Sequence, residues 1–160
     1  MLGMGNIVNP PQSFAYGYNF EYDIGYVGDL KAETVFSHIN SHFNSVFAYP
    51  LGGDCGSQLS VGQECDLTAV KDHGKGNVRV EEVGSRHYVF ITREGHFEGA
   101  NKRINFTLEN RGDHLYLVVT ASGKDNLMQK IPGEKRLNRV AADTLWTQFA
   151  TNIAYAAGNL

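Results

Sequence analysis

The sequence lacks the short motifs by which many enzymes are recognised. It contains no glycine-rich phosphate-binding loop, no serine nucleophile elbow and no dinucleotide-binding fingerprint. No apolar run is long enough to span a bilayer, and the first residues do not have the basic and apolar segments of a secretory signal. No local pattern therefore indicates a nucleotide-binding, hydrolase or transmembrane class.

An excess of either charge is also missing. The chain has 14 Lys and Arg residues against 17 Asp and Glu residues, which leaves a formal net charge of −3. A protein that binds nucleic acid over a broad surface usually carries a clear positive excess, because it must neutralise phosphates. The overall charge therefore gives no electrostatic reason to expect such binding.

Cysteine is scarce, and its two copies are Cys55 and Cys65. A hairpin could bring them within disulfide range, and a bridge would imply export to an oxidising compartment. Two free, partly buried thiols fit the spacing equally well, so both states remain open. A zinc site is disfavoured because no second Cys–Cys or Cys–His pair lies at metal-binding spacing.

Glycine and aromatic residues, by contrast, are abundant. The 160 residues include 18 glycines, 9 phenylalanines and 8 tyrosines, and this composition is typical of a β-rich fold with many tight turns. An apolar content of 42% is sufficient for one domain with a real core. Residues 1–12, rich in Gly, Asn and Pro, predict a linker or lead-in, and residues 13–160 a single α+β domain.

The stretch 86–122 predicts three successive antiparallel strands, at 88–92, 103–108 and 115–121. Apolar and polar residues alternate along the second and third, so one face of the sheet should lie on a core and the other in solvent. The intervening residues 110–113 predict a tight turn in which Gly112 takes a positive φ.

The flanking segments predict the remaining elements. An aromatic strand is expected at 13–26, a helix at 30–47 with Asp29 as its N-cap, and a long helix at 137–157 after an irregular segment. The fold class is therefore α+β, with an antiparallel sheet packed on a long C-terminal helix. This order of elements resembles the helix-grip arrangement of the START/Bet v 1-like superfamily, which implies a curved sheet around the last helix and an apolar ligand or lipid between them.

The densest group of chemically active side chains lies on the predicted loop after the first of the three strands. It comprises Arg93, Glu94, His96 and Glu98, with His87 on the strand that leads into the loop. Histidine exchanges protons near neutral pH, a carboxylate can orient it, and arginine can hold an anion. These five residues are the candidate catalytic residues. The alternative is a solvated connection bracketed by glycines, and this interpretation is favoured over catalysis.

His38 and His42 stand four residues apart on the first predicted helix, so they share a face and could supply half of a metal site. No third ligand at a telling spacing completes it, and a polar helix border is the favoured interpretation. The sequence therefore predicts no metal and no cofactor.

Residues 2–4, Leu-Gly-Met, resemble the tail of the Asp-Pro-Xaa-Gly-Leu junction that ends the core of bacterial Rhs-repeat proteins. The stretch Gly-His-Phe-Glu-Gly at 95–99, before an Ile-Xaa-Phe strand, is similar to the variable tips of such proteins. The resemblance implies a toxin domain released from an Rhs shell, secreted, delivered into a target cell and bound by a cognate immunity protein. It assigns no catalytic residue, and the substrate could be a nucleic acid, a nucleotide or a lipid.

Two functions from different classes follow. The first is a secreted effector of interbacterial competition whose activity is undetermined. The alternative is a non-enzymatic helix-grip module that binds an apolar ligand or lipid. The sequence leaves open whether the chain is an enzyme.

Overall fold

The computed structural model describes six stretches of the chain: residues 15–48, 52–56, 58–66, 76–94, 100–124 and 132–160. Seven strands and three helices lie in these stretches. In chain order the elements are β1 (Ala15–Tyr26), α1 (Ala32–Ser41), α2 (Phe43–Val46), β2 (Gly52–Gly53), β3 (Glu64–Asp66), β4 (Val78–Val83), β5 (His87–Thr92), β6 (Arg103–Arg111), β7 (His114–Lys124) and α3 (Pro132–Gly158).

The seven strands form one antiparallel sheet in the order β1-β7-β6-β5-β4-β3-β2. From β2 to β7 each strand pairs with the next along the chain, whereas β1 pairs with β7 from the other end of the sequence. The first and second strands are therefore the two edges of the sheet. This arrangement confirms the predicted α+β class.

The three central strands predicted from alternation are confirmed as β5, β6 and β7, and β6 and β7 extend further than expected. Phe106 of β6 pairs with Tyr88 on one side and with Val119 on the other. Gly112 takes φ +60° in the turn between β6 and β7, as predicted. The register is set by the buried face, because a slip of one residue would move every apolar side chain into solvent.

The core lies between the inner face of the sheet and the apolar side of α3. Leu145 and Phe149 of α3, which the helical periodicity places in the core, are 4% and 0% exposed. Opposite them lie buried apolar residues of the central strands, namely Tyr88, Phe90, Ile104, Phe106, Leu108, Leu115, Leu117 and Val119. Burial of such side chains contributes about 1.5–3 kcal/mol each.

The start of α1 differs from the prediction. Its N-cap is Lys31, not Asp29, and Lys31 makes no side-chain capping hydrogen bond. The backbone N–H of Ala32 donates instead to Oδ1 of Asn110 on β6, at 2.9 Å. The predicted N-cap was therefore wrong, because the helix end obtains its acceptor from a residue 78 positions away rather than from its own turn.

The single helix predicted at 30–47 is divided in two. His42 takes φ −134° and ψ 33° between α1 and α2, outside the helical region. Its Nδ1 lies 3.0 Å from the carbonyl oxygen of His38, so its imidazole satisfies one of the last carbonyls of α1. The apolar stripe continues through Phe43 and Val46, and for this reason periodicity alone suggested one helix.

The start of α3 and the pairing of β2 are two further features that the sequence did not predict. The long helix begins at Pro132 rather than at residue 137, since proline needs no N–H partner in the first helical turn. Gly52 and Gly53 pair as β2 with β3. The structure also resolves the alternative left open for the cysteines, because Cys55 and Cys65 form a disulfide.

The predicted lead-in at residues 1–12 lies outside the described residues. The division into a lead-in and a single domain at 13–160 stays a prediction.

Candidate functional site

The loop that holds four of the five candidate catalytic residues is only partly described. Residues 95–99, with His96 and Glu98, lie outside the described stretches. Arg93 and Glu94 border the loop. The guanidinium of Arg93 pairs with the carboxylate of Glu64 on β3 at 2.6 Å, and the backbone carbonyl of Glu94 accepts from the side chain of Asn77.

His87 lies at the opposite end of β5 from Arg93. Six residues at about 3.3 Å per residue separate the two by about 20 Å, so the structure does not bring them together. The Nε2 of His87 lies 2.8 Å from a carboxylate oxygen of Glu82, and the other oxygen of Glu82 is 3.8 Å from Arg103. This His–Glu–Arg group lies on the outer face of the sheet, opposite to the face of Tyr88 and Phe90.

A second polar group on the outer face surrounds the turn between β6 and β7. Nδ1 of His114 lies 2.9 Å from Asp23, and the hydrogen bond from His114 lowers the pKa of the Asp23 carboxyl. Arg111 pairs with Glu21 and with Glu109, and its guanidinium lies 4.2 Å from the ring centroid of Tyr116. These charged side chains are at least partly exposed to solvent and pair with one another. We therefore interpret them as surface ion pairs of the sheet and not as a reactive site.

Aromatic side chains fill the space between the central strands and α3 in the part of the chain that the structure describes. Phe149 has its ring centroid 5.0 Å from that of Phe47 and 5.2 Å from that of Phe106. Tyr88 is fully buried, donates to Oδ1 of Asn40, and has a raised pKa because burial desolvates its hydroxyl. Between the central strands and α3, a ligand would therefore have to displace aromatic rings that are already packed against each other.

Hydrogen bonds between side chains join β1 to α3 along the seam between them. The hydroxyl of Tyr22 donates to Oδ1 of Asp143 at 2.7 Å, and Nε1 of Trp146 donates to the hydroxyl of Tyr18 at 3.1 Å. Partial burial, and then the acceptor Asp143, raise the pKa of Tyr22. These bonds hold the edge strand against the helix along the middle of the seam.

Beyond this seam, a groove of about 370 Å³ opens between the end of β1 and the last turns of α3. We call it the apolar groove. Its sheet side is formed by Ile24, Tyr26, Val27 and Leu30. Its helix side is formed by Ala154, Ala157, Gly158 and Leu160. No carboxylate, histidine, cysteine, lysine or arginine is among the described residues that line it.

The walls of the apolar groove are fixed by long-range hydrogen bonds. The backbone N–H of Val27 donates to the carbonyl of Asp113 at 2.7 Å, and the side chain of Asn110 donates to the carbonyl of Leu30 at 3.1 Å. Tyr26 is 72% exposed and has its ring edge-on to His114. Its hydroxyl has no hydrogen-bond partner among the described residues, so it can bond a ligand at the mouth of the groove.

Sequence reasoning missed this groove. The sequence signal that could have indicated it is the pair of apolar residues Val27 and Leu30, which lie on either side of Gly28 after the aromatic strand. The sequence predicts Leu30 at the start of the first helix and leaves Val27 between that helix and the aromatic strand. Only the position of α3 against β1 makes them one wall of a concave surface.

A second groove of about 360 Å³ lies on another side of the same end of α3. We call it the histidine groove. His38, His42, Ser45 and Val46 form one wall. Asn152, Tyr155, Ala156, Asn159 and Leu160 form the other. Among the residues the structure describes, no cluster of three or more His, Cys, Asp or Glu side chains could hold a metal ion.

The sheet wrapped against a long C-terminal helix defines the helix-grip class of α+β folds. Among the solved structures with a similar fold are three that are all distant from this chain in sequence. Ara h 8.0201 matches with a TM-score of 0.62 and 10% identity over 89% of this chain and 97% of that one. Protein MLL2253 from Mesorhizobium loti matches with a TM-score of 0.61 and 14% identity over the same shares.

The third structure, DynU16, is described as a protein of the dynemicin biosynthetic locus. It matches with a TM-score of 0.58 and 13% identity over 88% of this chain. This chain spans 46% of DynU16, about half of its length. At such identities the likeness establishes the helix-grip fold and confirms that predicted resemblance. It does not establish a ligand.

No protein-family model and no curated protein matches the chain. The three structures named above carry no Rhs or toxin description, and residues 2–4, on which the Rhs resemblance rests, lie outside the described stretches. The Rhs resemblance therefore gains no support. Within the described residues, no helix has both the length and the apolar character needed to cross a membrane.

Proposed function

We propose that this protein is a non-enzymatic binding module that holds a small, neutral, mostly apolar ligand in the apolar groove. The observation that supports this most is the groove itself, a concavity between sheet and helix with apolar walls and one free hydroxyl, on Tyr26. Ligand sites are typically apolar concavities of about 300–1,000 Å³ with a few polar groups that fix orientation.

The lining also defines the class of ligand. No charged described side chain reaches the groove, so a charged ligand would lose hydration without gaining a partner. A neutral ligand with one hydrogen-bonding group can place that group at Tyr26 and its apolar part against Val27, Leu30 and Ala157. The titratable groups described on the outer face pair with one another, and none of them is among the described residues that line the groove. The ring of His114, which contacts that of Tyr26 edge-on, is paired with Asp23.

The expected affinity is modest. A groove of about 370 Å³ takes a ligand of roughly 15 heavy atoms. About 0.3 kcal/mol per atom then gives about 4.5 kcal/mol, which corresponds to a Kd of about 0.5 mM.

The test uses 1-aminoanthracene, a neutral fluorescent probe of suitable size, with the full chain. Ala154→Phe places a ring in the apolar groove and should abolish the fluorescence increase. Ala156→Phe is the matched control, because it adds the same ring two residues on, about 200° around the helix, and faces the histidine groove. Ala156→Phe should bind like the wild type.

The outcome that would overturn the proposal is a wild-type protein without saturable binding, or an Ala154→Phe variant that binds as well as Ala156→Phe. Tyr26→Phe gives a second readout. The variant should bind probes that have a hydrogen-bonding group several-fold more weakly than the wild type does. Its affinity for purely apolar probes should be unchanged. Mass spectrometry of gently purified protein then identifies any apolar molecule that co-purifies.

The effector hypothesis stays a prediction with its own test. Expression of residues 2–160 in the bacterial cytoplasm and periplasm, with and without a neighbouring gene, measures toxicity and protection by an immunity protein. The variant with both His96→Ala and Glu98→Ala should lose toxicity and keep its fold if the loop is catalytic. No growth defect in either compartment would remove this hypothesis.

Secretion also stays a proposal, and the Cys55–Cys65 bridge supports it, since such bridges persist in oxidising compartments. Protein purified from a reducing cytoplasm should contain two free thiols, and protein from the periplasm none. Equal thiol counts from the two compartments would mean that formation of the bridge does not depend on export, and the bridge would then no longer support secretion.

A further inference from the structure

We propose that the histidine groove binds one divalent transition-metal ion through the imidazoles of His38 and His42. This site is separate from the apolar groove and does not depend on ligand binding there. Imidazole nitrogen suits Cu²⁺, Ni²⁺ and Zn²⁺, and Cu²⁺ should bind most tightly of the three.

The two rings are close enough to share one ion once the His38 ring turns out of their stack. Their centroids lie 4.4 Å apart with an interplanar angle of 25°. With metal–nitrogen distances of about 2.0–2.1 Å, two imidazoles at neighbouring positions of one ion have centroids roughly 4–5 Å apart. The side chain of His42 is exposed and that of His38 half-buried, so a rotation of His38 from the stack can direct both nitrogens to the ion.

A backbone hydrogen bond selects the required tautomer of His42. Its Nδ1 lies 3.0 Å from the carbonyl oxygen of His38, which can only accept, and 3.1 Å from the hydroxyl oxygen of Ser41. Because the Ser41 hydroxyl can give its own proton to the carbonyl of Ser37 or His38, both contacts are satisfied when Nδ1 carries the proton and donates. The neutral ring then has its lone pair on Nε2. Metal-binding histidines usually donate their second nitrogen to a carbonyl or carboxylate in this way, which fixes the ring and raises its basicity.

His38 has no competing interaction of this kind. Its ring nitrogens have no hydrogen-bond partner among the residues that the structure describes. Either nitrogen can therefore turn to the ion without the loss of a bond.

The electrostatics of the groove also favour a cation. No Lys or Arg is among its described lining residues. The last turns of α1 and of α3 both face the groove, and helix C-termini carry partial negative charge. Because no third His, Cys, Asp or Glu joins the pair in the described stretches, water would complete the coordination.

The test is a titration of the full chain with Cu²⁺ at pH 7.5 in a buffer that does not bind the metal, followed by electron paramagnetic resonance. The wild type should bind one ion with the nitrogen couplings of coordinated imidazole. His38→Ala should weaken the affinity at least tenfold and remove one set of couplings. It is the cleaner variant, since the structure gives His38 no hydrogen bond through its ring, and His42→Ala should have the same effect.

His114→Ala is the matched control, because His114 is also a partly exposed histidine in the described chain but pairs with Asp23. It should bind Cu²⁺ like the wild type. The proposal is overturned if His38→Ala retains full affinity while folded, as judged by circular dichroism. It is also overturned if His114→Ala loses as much affinity as His38→Ala, or if the wild type binds no more tightly than the variant without both histidines.

Discussion

Removal of the ring of Phe149 tests whether the aromatic cluster holds the helix on the sheet. Phe149 is 0% exposed, and its ring lies within 6.0 Å, centroid to centroid, of those of Phe43, Phe47, Phe106 and Trp146. Phe43 belongs to α2 and Phe47 follows it directly, Phe106 belongs to β6, and Trp146 belongs to α3 itself. The side chain therefore joins three elements at one point.

The expected cost follows from this environment. Phe→Ala in a core typically lowers the free energy of unfolding by about 3–5 kcal/mol, because it loses apolar burial and leaves a cavity. The neighbouring rings are large and hold each other in place, so the cavity should collapse little. For a domain of this size, a loss of 3–5 kcal/mol lowers Tm by roughly 6–20 °C.

The assay is urea and thermal unfolding of Phe149→Ala beside two controls. Phe149→Leu keeps most of the apolar volume and should cost less than about 1.5 kcal/mol. Tyr155→Ala removes a ring from the same helix at a position that is 78% exposed, and should stay within about 0.5 kcal/mol of the wild type. A Phe149→Ala variant as stable as Tyr155→Ala would refute the reasoning, since the cluster would then not anchor α3.

Three further predictions concern the disulfide, an outer-face ion pair and a turn. Replacing Cys55 and Cys65 by Ser opens a bridge between residues 10 apart, and should lower the free energy of unfolding by about 2–3 kcal/mol under oxidising conditions. Because His114 lowers the pKa of Asp23 in the folded state, this contribution to stability is present above the ordinary value of 3.8 and is lost as the pH falls below it, whereas Asp23→Asn should lack that part of the acid dependence. Gly112→Ala should cost about 1–2 kcal/mol because its φ is +60°, and Gly112→Asn less.

Each of these has a result that contradicts it. A Ser double variant that matches the wild type under oxidising conditions would exclude a stabilising bridge. Identical acid unfolding curves for the wild type and Asp23→Asn would show that the pair with His114 does not form in solution. Equal stability of Gly112→Ala and the wild type would mean that the turn adopts another conformation, since open space surrounds the position.

Much of the sheet could be predicted because its strands carry their own signal. Ile104, Phe106 and Leu108 alternate with polar residues, and alternation reports directly which side chains are buried. The stripe through Leu145 and Phe149 likewise identified the core side of the last helix. Both signals are local to one element. The apolar pattern of the sequence agrees with the observed burial wherever one face of an element is buried along its whole length.

Tertiary structure decided where the first helix begins. The first N–H of α1 donates to Asn110, which lies 78 positions away, so the predicted cap, Asp29, was not used. A cap can come from any acceptor that the fold brings close, and a window of neighbouring residues does not contain that information.

The candidate sites show the same division more strongly. His87 and Arg93 are near in sequence, yet an extended strand places them about 20 Å apart. Ile24 and Ala157 are 133 positions apart and line the same groove. The sequence by itself determined the apolar faces of the long central strands and of the last helix, because these faces follow from local periodicity. Only the packing of α3 against β1 decided which side chains face a common concavity, because that depends on contacts between the two ends of the chain.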